Sequence, residues 1–292
     1  MRITIKSSCA QAEIDTLGAQ LMSLKGADGL EYLWQGDPTY WTGRAPVLFP
    51  IVGALRNQTT LIDGKEYHMR RHGFAKQSEF AVAEQTENAV TFSLRANEET
   101  KKQYPFDFEL RVSFRLDGAT LLNEFAVLNH GDTIMPFAVG GHPAFNCPLV
   151  QGEDFTDYVV EFEQPEVADC PAINMETGVI EVENRTRVLN GGKQIALQHS
   201  LFYKDALVFD NLKSRSVKLY SQKSGRGVKM DFAGFDYFGV WSAVNDAPYV
   251  CLEPWTGCAT CTDEDDVLAN KRGMCMLQVG NERRSAFSVT LL

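Results

Sequence analysis

The stretch Phe108-Glu109-Leu110-Arg111-Val112-Ser113-Phe114-Arg115-Leu116-Asp117-Gly118-Ala119-Thr120-Leu121-Leu122-Asn123-Glu124-Phe125 decides the fold. Apolar residues at Phe108, Leu110, Val112, Phe114 and Leu116 put every second side chain on one face, the mark of a half-buried strand. A second run continues from Thr120 to residue 128, and an Asp-Gly pair between two such runs is the favoured type I′ hairpin turn. Asp63-Gly64, between residues 59–61 and 67–69, repeats the device.

Working outward, short runs of the same kind recur at residues 80–84, 90–94, 158–162, 206–209, 217–220, 228–232, 238–243, 249–252 and 286–291, separated by Gly, Asn, Asp and Pro. This spacing predicts an all-β sandwich. Residues 97–103 and 263–271 are short and charged, so they read as single helical turns on loops. Residues 152–201 are richer in Glu, Asn, Gly and Pro and read as long loops decorating the sandwich. Strand-like runs continue on both sides with no linker, so residues 1–292 are expected to form one domain.

Composition sets the outer limits. With 44% hydrophobic and 23% charged residues, the 292-residue chain can bury a large core. A net charge of −10 without a basic run argues against nucleic acid as a partner. Residues 1–14 mix charge and polarity where a signal peptide would be apolar, and nowhere does an apolar run reach membrane-spanning length. A soluble, cytoplasmic protein without a membrane partner is expected, as a monomer or homodimer. Seven scattered cysteines are an odd number, which predicts reduced thiols. Cys258 and Cys261 form one CxxC near Cys251 and Cys275, but a four-thiolate zinc site calls for two such knuckles, so no metal is expected.

Candidate chemistry gathers at strand ends. His142 lies in Gly140-Gly141-His142-Pro143-Ala144-Phe145-Asn146, just after an apolar run, where two glycines let the backbone turn closely and present an imidazole. The alternative is a histidine that merely holds a loop carbonyl. His72 lies in Arg70-Arg71-His72-Gly73-Phe74-Ala75-Lys76, a basic cluster able to meet a sugar oxygen or a phosphate, although Arg70 and Arg71 themselves read as solvated surface. His68, His130 and His199 read as structural or exposed. Glu253 closes the apolar run Tyr249-Val250-Cys251-Leu252 and precedes Pro254-Trp255, so a lone carboxylate is delivered beside an aromatic surface. Trp255 and Trp241 could pack on the C–H face of a pyranose, or equally lie in the core.

These residues, in this order, resemble the aldose 1-epimerase family, and within it the LacX-like branch of galactose-mutarotase-like proteins, over essentially the whole chain. The resemblance runs through Leu17-Gly18-Ala19-Gln20-Leu21, Glu31-Tyr32-Leu33-Trp34-Gln35-Gly36-Asp37, Arg44-Ala45-Pro46-Val47-Leu48-Phe49-Pro50, His72-Gly73-Phe74, Gly141-His142-Pro143-Ala144-Phe145-Asn146 and Leu252-Glu253-Pro254-Trp255. It implies a large antiparallel β-sandwich, the galactose mutarotase-like supersandwich, whose concave face holds a sugar. It also implies roles: His142 as general acid, Glu253 as general base, His72 as a hydrogen-bonding partner near the ring oxygen, and Asp205 as a ligand of sugar hydroxyls. Related sequences carry Arg where Ala54 stands and Arg where Lys76 stands; Arg56, two residues on, is the expected substitute by a loop shift.

Anomerisation needs the C1 hydroxyl to lose a proton while the ring oxygen gains one. An ionised carboxylate near its ordinary pKa and an imidazole tuned near neutrality suit that pair of transfers, and no cofactor is required. A glycoside hydrolase would most often need two carboxylates flanking the scissile bond, and only one stands in a convincing motif. A non-catalytic carbohydrate-binding or regulatory protein, and a hexose-6-phosphate 1-epimerase, are the other readings. Lys lacks the bidentate fork of Arg, so a phosphate on the sugar is not expected to be required.

Overall fold

The computed structural model describes residues 1–292. Its centre is the hairpin quoted above: Phe108–Asp117 and Thr120–Asn129 pair antiparallel, with Leu116 facing Leu121 and Val112 facing Phe125. Asp117 pairs with Thr120, so the turn residues are Gly118 and Ala119, and only Gly118 has positive φ (55°). That is the II′ pattern, with Gly first, rather than the expected I′ turn on Asp-Gly. At the second site Asp63 (φ 49°) and Gly64 (φ 73°) are both left-handed, as I′ demands, and join Thr59–Ile62 to Lys65–His68.

The hairpin sits inside a nine-stranded antiparallel sheet in the order Ile180–Ala196, Tyr158–Ile173, Ser216–Ser221, Gly227–Asp231, Glu282–Leu291, Thr120–Asn129, Phe108–Asp117, Ala89–Arg95 and Ala81–Gln85. A second sheet runs Leu207–Phe209, Tyr237–Trp241, Tyr249–Trp255, Gly140–Gly141 and Val47–Leu48, with Ala144–Asn146 also paired to Tyr249–Trp255. All seven residues of Tyr249–Trp255 are buried, which is why that strand reads as a continuous apolar run rather than an alternation. The fold is thus all-β, a large antiparallel β-sandwich. A cluster of 64 buried apolar residues, from Ile3 to Val289, fills it.

Two regions depart from the sequence reading. Residues 152–201 are mainly two long strands, Tyr158–Ile173 and Ile180–Ala196, rather than decorating loops. Their pairing carries four register shifts, each flipping the alternation, and Ile180–Ala196 is a largely exposed sheet edge. Bulges and edge exposure together erase the period-two signal. At one shift, buried Glu166 turns its carboxylate inward to accept the backbone N–H groups of Lys213 and Ser214. The N-terminus, read above only for its polarity, forms a three-stranded sheet of Arg2–Lys6, Ala10–Asp15 and Gln20–Gly26, burying Ile3, Ile5, Ala12 and Ile14. Helix is confined to single turns: Glu98–Lys101, capped reciprocally by Asn97 and Thr100, and 3-10 turns such as Leu268–Asn270 within 263–271. No helix is long and apolar enough to cross a membrane.

Candidate active site

The short strand Gly140–Gly141 is held between Tyr249–Trp255 and Val47–Leu48, with Gly140 opposite both Trp255 and Leu48. A Cβ on Gly140 would lie 2.6 Å from Trp255 Cδ1, and one on Gly141 2.7 Å from Phe287 Cε1. The two glycines are therefore needed for close packing rather than for a left-handed turn, and they bring His142 out at the strand end. Glu253 sits opposite Gly239, where a Cβ would meet the Trp255 indole at 2.7 Å. With both backbones pressed in this way, His142 Nε2 and Glu253 Oε2 stand 3.2 Å apart.

Burial governs the charge state of this pair. His142 is 7% exposed and Glu253 1%. Burial, reinforced by the cations of Lys76 and Arg71, pushes the His142 imidazole down to about 3. Burial and then the Asp205 carboxylate push Glu253 well above the usual carboxylate range, against the opposing pull of Arg71 and Trp255. The expectation of a carboxylate near its ordinary pKa beside an imidazole near neutrality is therefore corrected: burial favours the neutral forms of both. Trp41 stacks on the His142 ring (centroids 5.0 Å, 28°), and Trp241 meets it edge-on at 5.6 Å.

Both residues open onto a cavity of about 560 Å³ that His72, Asp205, Trp41, Trp241 and Trp255 also line. His72 has φ 68°, and its Nδ1 accepts the Gly53 N–H at 3.1 Å, so the ring hydrogen resides on Nε2. Burial holds its pKa well below 6.5, making His72 a neutral donor. Asp205 is also left-handed (φ 75°); its Oδ1 accepts the Ala206 N–H, and its Oδ2 lies 3.6 Å from Arg71 Nη1. Side chains held at positive φ store strain of order 1–3 kcal/mol each, and two of them here border one cavity.

The structure does not bring Arg56 to this cavity, which corrects its expected place beside the sugar. Its guanidinium pairs with Asp266 at 2.9 Å and donates to the carbonyls of Cys261 and Glu264, tying down the 261–266 loop. Arg71, read above as solvated surface, lines the cavity instead, as does Lys76, whose Nζ donates to the Arg71 carbonyl. Gly178, in the turn of the long hairpin, packs against this arginine: a Cβ there would fall 2.5 Å from Arg71 Nη2 and 2.9 Å from the Ala54 methyl. That turn and the small Ala54 side chain occupy the wall where an Arg at 54 would need space.

Trp41 escaped the sequence reading because the turn-rich stretch 35–44 has no periodicity; only its contact with His142 marks it. Arg71 escaped because it packs against a hairpin turn more than 100 residues away. The other histidines are placed as expected: His130 pairs with Glu109, His199 stacks on Phe155, and His68 is exposed. One grouping suits a metal ion: ligand atoms of His142, Cys251 and Glu253 all lie within 4.8 Å of one another.

Comparison with known proteins places the chain in a family. The sequence model of the family described as aldose 1-epimerase matches residues 1–287. The chain is 42% identical over 298 residues to the plasmid-encoded protein LacX of Lactococcus lactis subsp. lactis, covering 100% of both chains. It is 31% identical to a putative glucose-6-phosphate 1-epimerase of Escherichia coli K12 over 140 residues, 44% of each chain. The structure of a galactose mutarotase related enzyme from Lactobacillus acidophilus superposes with a TM-score of 0.95 at 36% identity, covering 100% of this chain and 97% of that one. Family membership supports a carbohydrate epimerase role and suggests a small sugar as substrate. From the match along nearly its whole length, together with the fold, the chain belongs to the aldose 1-epimerase family.

Proposed function

We propose that this protein is a cytoplasmic aldose 1-epimerase that interconverts the α and β anomers of a hexose or related sugar, acting as one domain over residues 1–292 without a cofactor. The observation that carries the reading is the 3.2 Å approach of His142 Nε2 to Glu253 Oε2 at the wall of one cavity. The hydroxyl and ring oxygens of an anomeric centre share one carbon, so an acid and a base serving them must stand side by side.

The proton inventory closes. With imidazolium on His142 and carboxylate on Glu253, Glu253 takes the C1 hydroxyl proton and His142 protonates the ring oxygen as the C1–O5 bond breaks. The pair is then imidazole and carboxylic acid, facing an open-chain aldehyde. Rotation about C1–C2 presents the other face, Glu253 returns its proton to the aldehyde oxygen, His142 takes the C5 hydroxyl proton, and the starting pair is regenerated. Both forms carry the same number of protons, so no exchange with bulk water is needed. The neutral form that burial favours is the one opposite the aldehyde. In this reading the Nε2–H of His72 steadies the ring oxygen, Asp205 accepts from sugar hydroxyls, and Trp41 and Trp241 supply apolar faces.

A phosphate on the sugar is not required in this reading, because Asp205 engages Arg71 and the Arg71 carbonyl engages Lys76. The same two cations favour the second reading, a hexose-6-phosphate 1-epimerase. Saturation-transfer NMR of anomeric exchange across free hexoses and their 6-phosphates separates these. Exchange on free sugars supports the first reading, and exchange confined to phosphates supports the second. Binding with no gain over the spontaneous rate on any sugar would leave a non-catalytic carbohydrate-binding protein.

A further inference from the structure

Cys251 has no part in the proton transfers above, yet its position is chemically specific. In the strand Tyr249–Trp255 it lies two residues before Glu253, so both side chains project from the same face. Cys251 also pairs with Ala144 and Trp241, which fixes its backbone on two sides. Its Sγ, a nitrogen of His142 and a carboxylate oxygen of Glu253 are mutually within 4.8 Å. All three residues are more than nine-tenths buried. No hydrogen bond of good geometry reaches Glu253 Oε2, although Nε2 of His142 is 3.2 Å away. A buried carboxyl oxygen without a partner leaves polar capacity that a ligand can take up.

We infer that His142, Cys251 and Glu253 form a three-ligand site for a thiophilic divalent cation of the zinc class, and that its occupancy excludes proton transfer by the His142–Glu253 pair. The inhibitory half rests on the epimerase reading; the binding half does not. The donor set of one nitrogen, one sulfur and one oxygen, two of whose residues, His142 and Glu253, line the cavity, is that of an open tetrahedral zinc site. Bond lengths of about 2.0–2.3 Å place tetrahedral ligand atoms roughly 3.5 Å apart. The imidazole–carboxylate separation of 3.2 Å already meets this, and the thiol sulfur lies within 4.8 Å of both partners. On binding, the Cys251 thiol proton and the Glu253 carboxyl proton both leave to solvent as the thiolate–metal and carboxylate–metal bonds form, and no redox change occurs. The imidazole lone pair and the carboxylate are then bound to metal, so neither can exchange a proton with a sugar. Carboxylate- and water-loving ions such as Mg²⁺ should not compete, because a thiolate is a poor ligand for them.

Co²⁺ serves as the probe, since a thiolate ligand gives it a near-ultraviolet charge-transfer band that is read without any activity. The full-length protein titrated with Co²⁺ should show that band and tetrahedral d–d absorption. Cys251→Ala and the closer-sized Cys251→Ser, both checked by thermal melts, should lose the band and weaken binding by at least about 10–100-fold, the loss seen even when an outer partner of a metal ligand is removed. With the six other cysteines intact, a band of unchanged strength in a folded Cys251 variant would assign it to another thiol and overturn the proposal. In the exchange assay, stoichiometric Zn²⁺ should suppress wild-type turnover, a chelator should restore it, and the Cys251 variants should resist the ion while retaining near wild-type exchange without it. Zn²⁺ inhibition of equal strength in those variants also refutes the site. Co²⁺ binding through Cys251 in a protein that never exchanges anomers upholds the site and removes the epimerase reading instead.

Discussion

Glu253→Gln isolates the proton-accepting oxygen from the packing around it. The amide matches the carboxyl in size, so the close fit of Gly239, Trp255 and Glu253 is kept. Its NH₂ can donate to His142 Nε2 across the same 3.2 Å, and a residue that burial already drives toward its neutral form loses no favourable charge. Stability should therefore hold or rise slightly. Rate should not hold, because an amide cannot take the C1 hydroxyl proton at neutral pH. Loss of one positioned base costs about 10²–10⁴-fold, equal to roughly 3–5 kcal/mol of transition-state stabilisation. His142→Asn should lose a similar factor, and the double variant far less than the product, since the two groups serve one coupled transfer. Polarimetry on freshly dissolved α-sugar, with thermal melts as the folding control, measures all three. A folded Glu253→Gln protein exchanging anomers at near the wild-type rate would remove Glu253 from the mechanism and, with it, the epimerase assignment.

Three further outcomes follow from the buried pair and its surroundings. The active proton count is lost on the acid side only when His142 is protonated beside neutral Glu253, so kcat/KM should stay level down to about pH 3 or to acid unfolding; an acid limb centred between pH 5 and 7 would contradict the burial argument. On the alkaline side the rate should fall as the pair loses its shared proton, at a pH set by the raised Glu253 value. The His142 pKa is about 3 when folded and near 6.5 when unfolded, so between those values the imidazole's own contribution to native stability falls as pH drops, while Glu253, held neutral in the fold, contributes the opposite slope. Relative to the wild type, His142→Asn should therefore gain roughly 2 kcal/mol of stability as the pH falls from 6.5 to 5 in urea melts, and a constant difference would show the imidazole is not held neutral. Gly239→Ala places a methyl 2.7 Å from the Trp255 indole and should cost about 1–3 kcal/mol in stability together with much of the exchange rate; a variant with wild-type melting and turnover would show that this contact does not position Glu253.

The sequence by itself determined the architecture wherever burial is one-sided and regular. From Phe108 to Leu128 the alternating run and its turn name the central hairpin, because a period of two leaves no other face to bury. It also singled out His142 and Glu253, since paired glycines and an abrupt carboxylate after an apolar run are local signals, although Glu253 stands inside the strand Tyr249–Trp255 rather than at its end. Tertiary structure alone decided what surrounds them. Arg71 rather than Arg56 reaches the cavity, packed against Gly178 in the turn of a bulged hairpin with no readable period, while Asp266 holds Arg56 elsewhere. Trp41 covers His142 from a stretch with no periodic signal at all. The protonation of the central pair was likewise out of reach, because a pKa depends on desolvation and on charges such as Asp205, Lys76 and Arg71, which only folding brings within range.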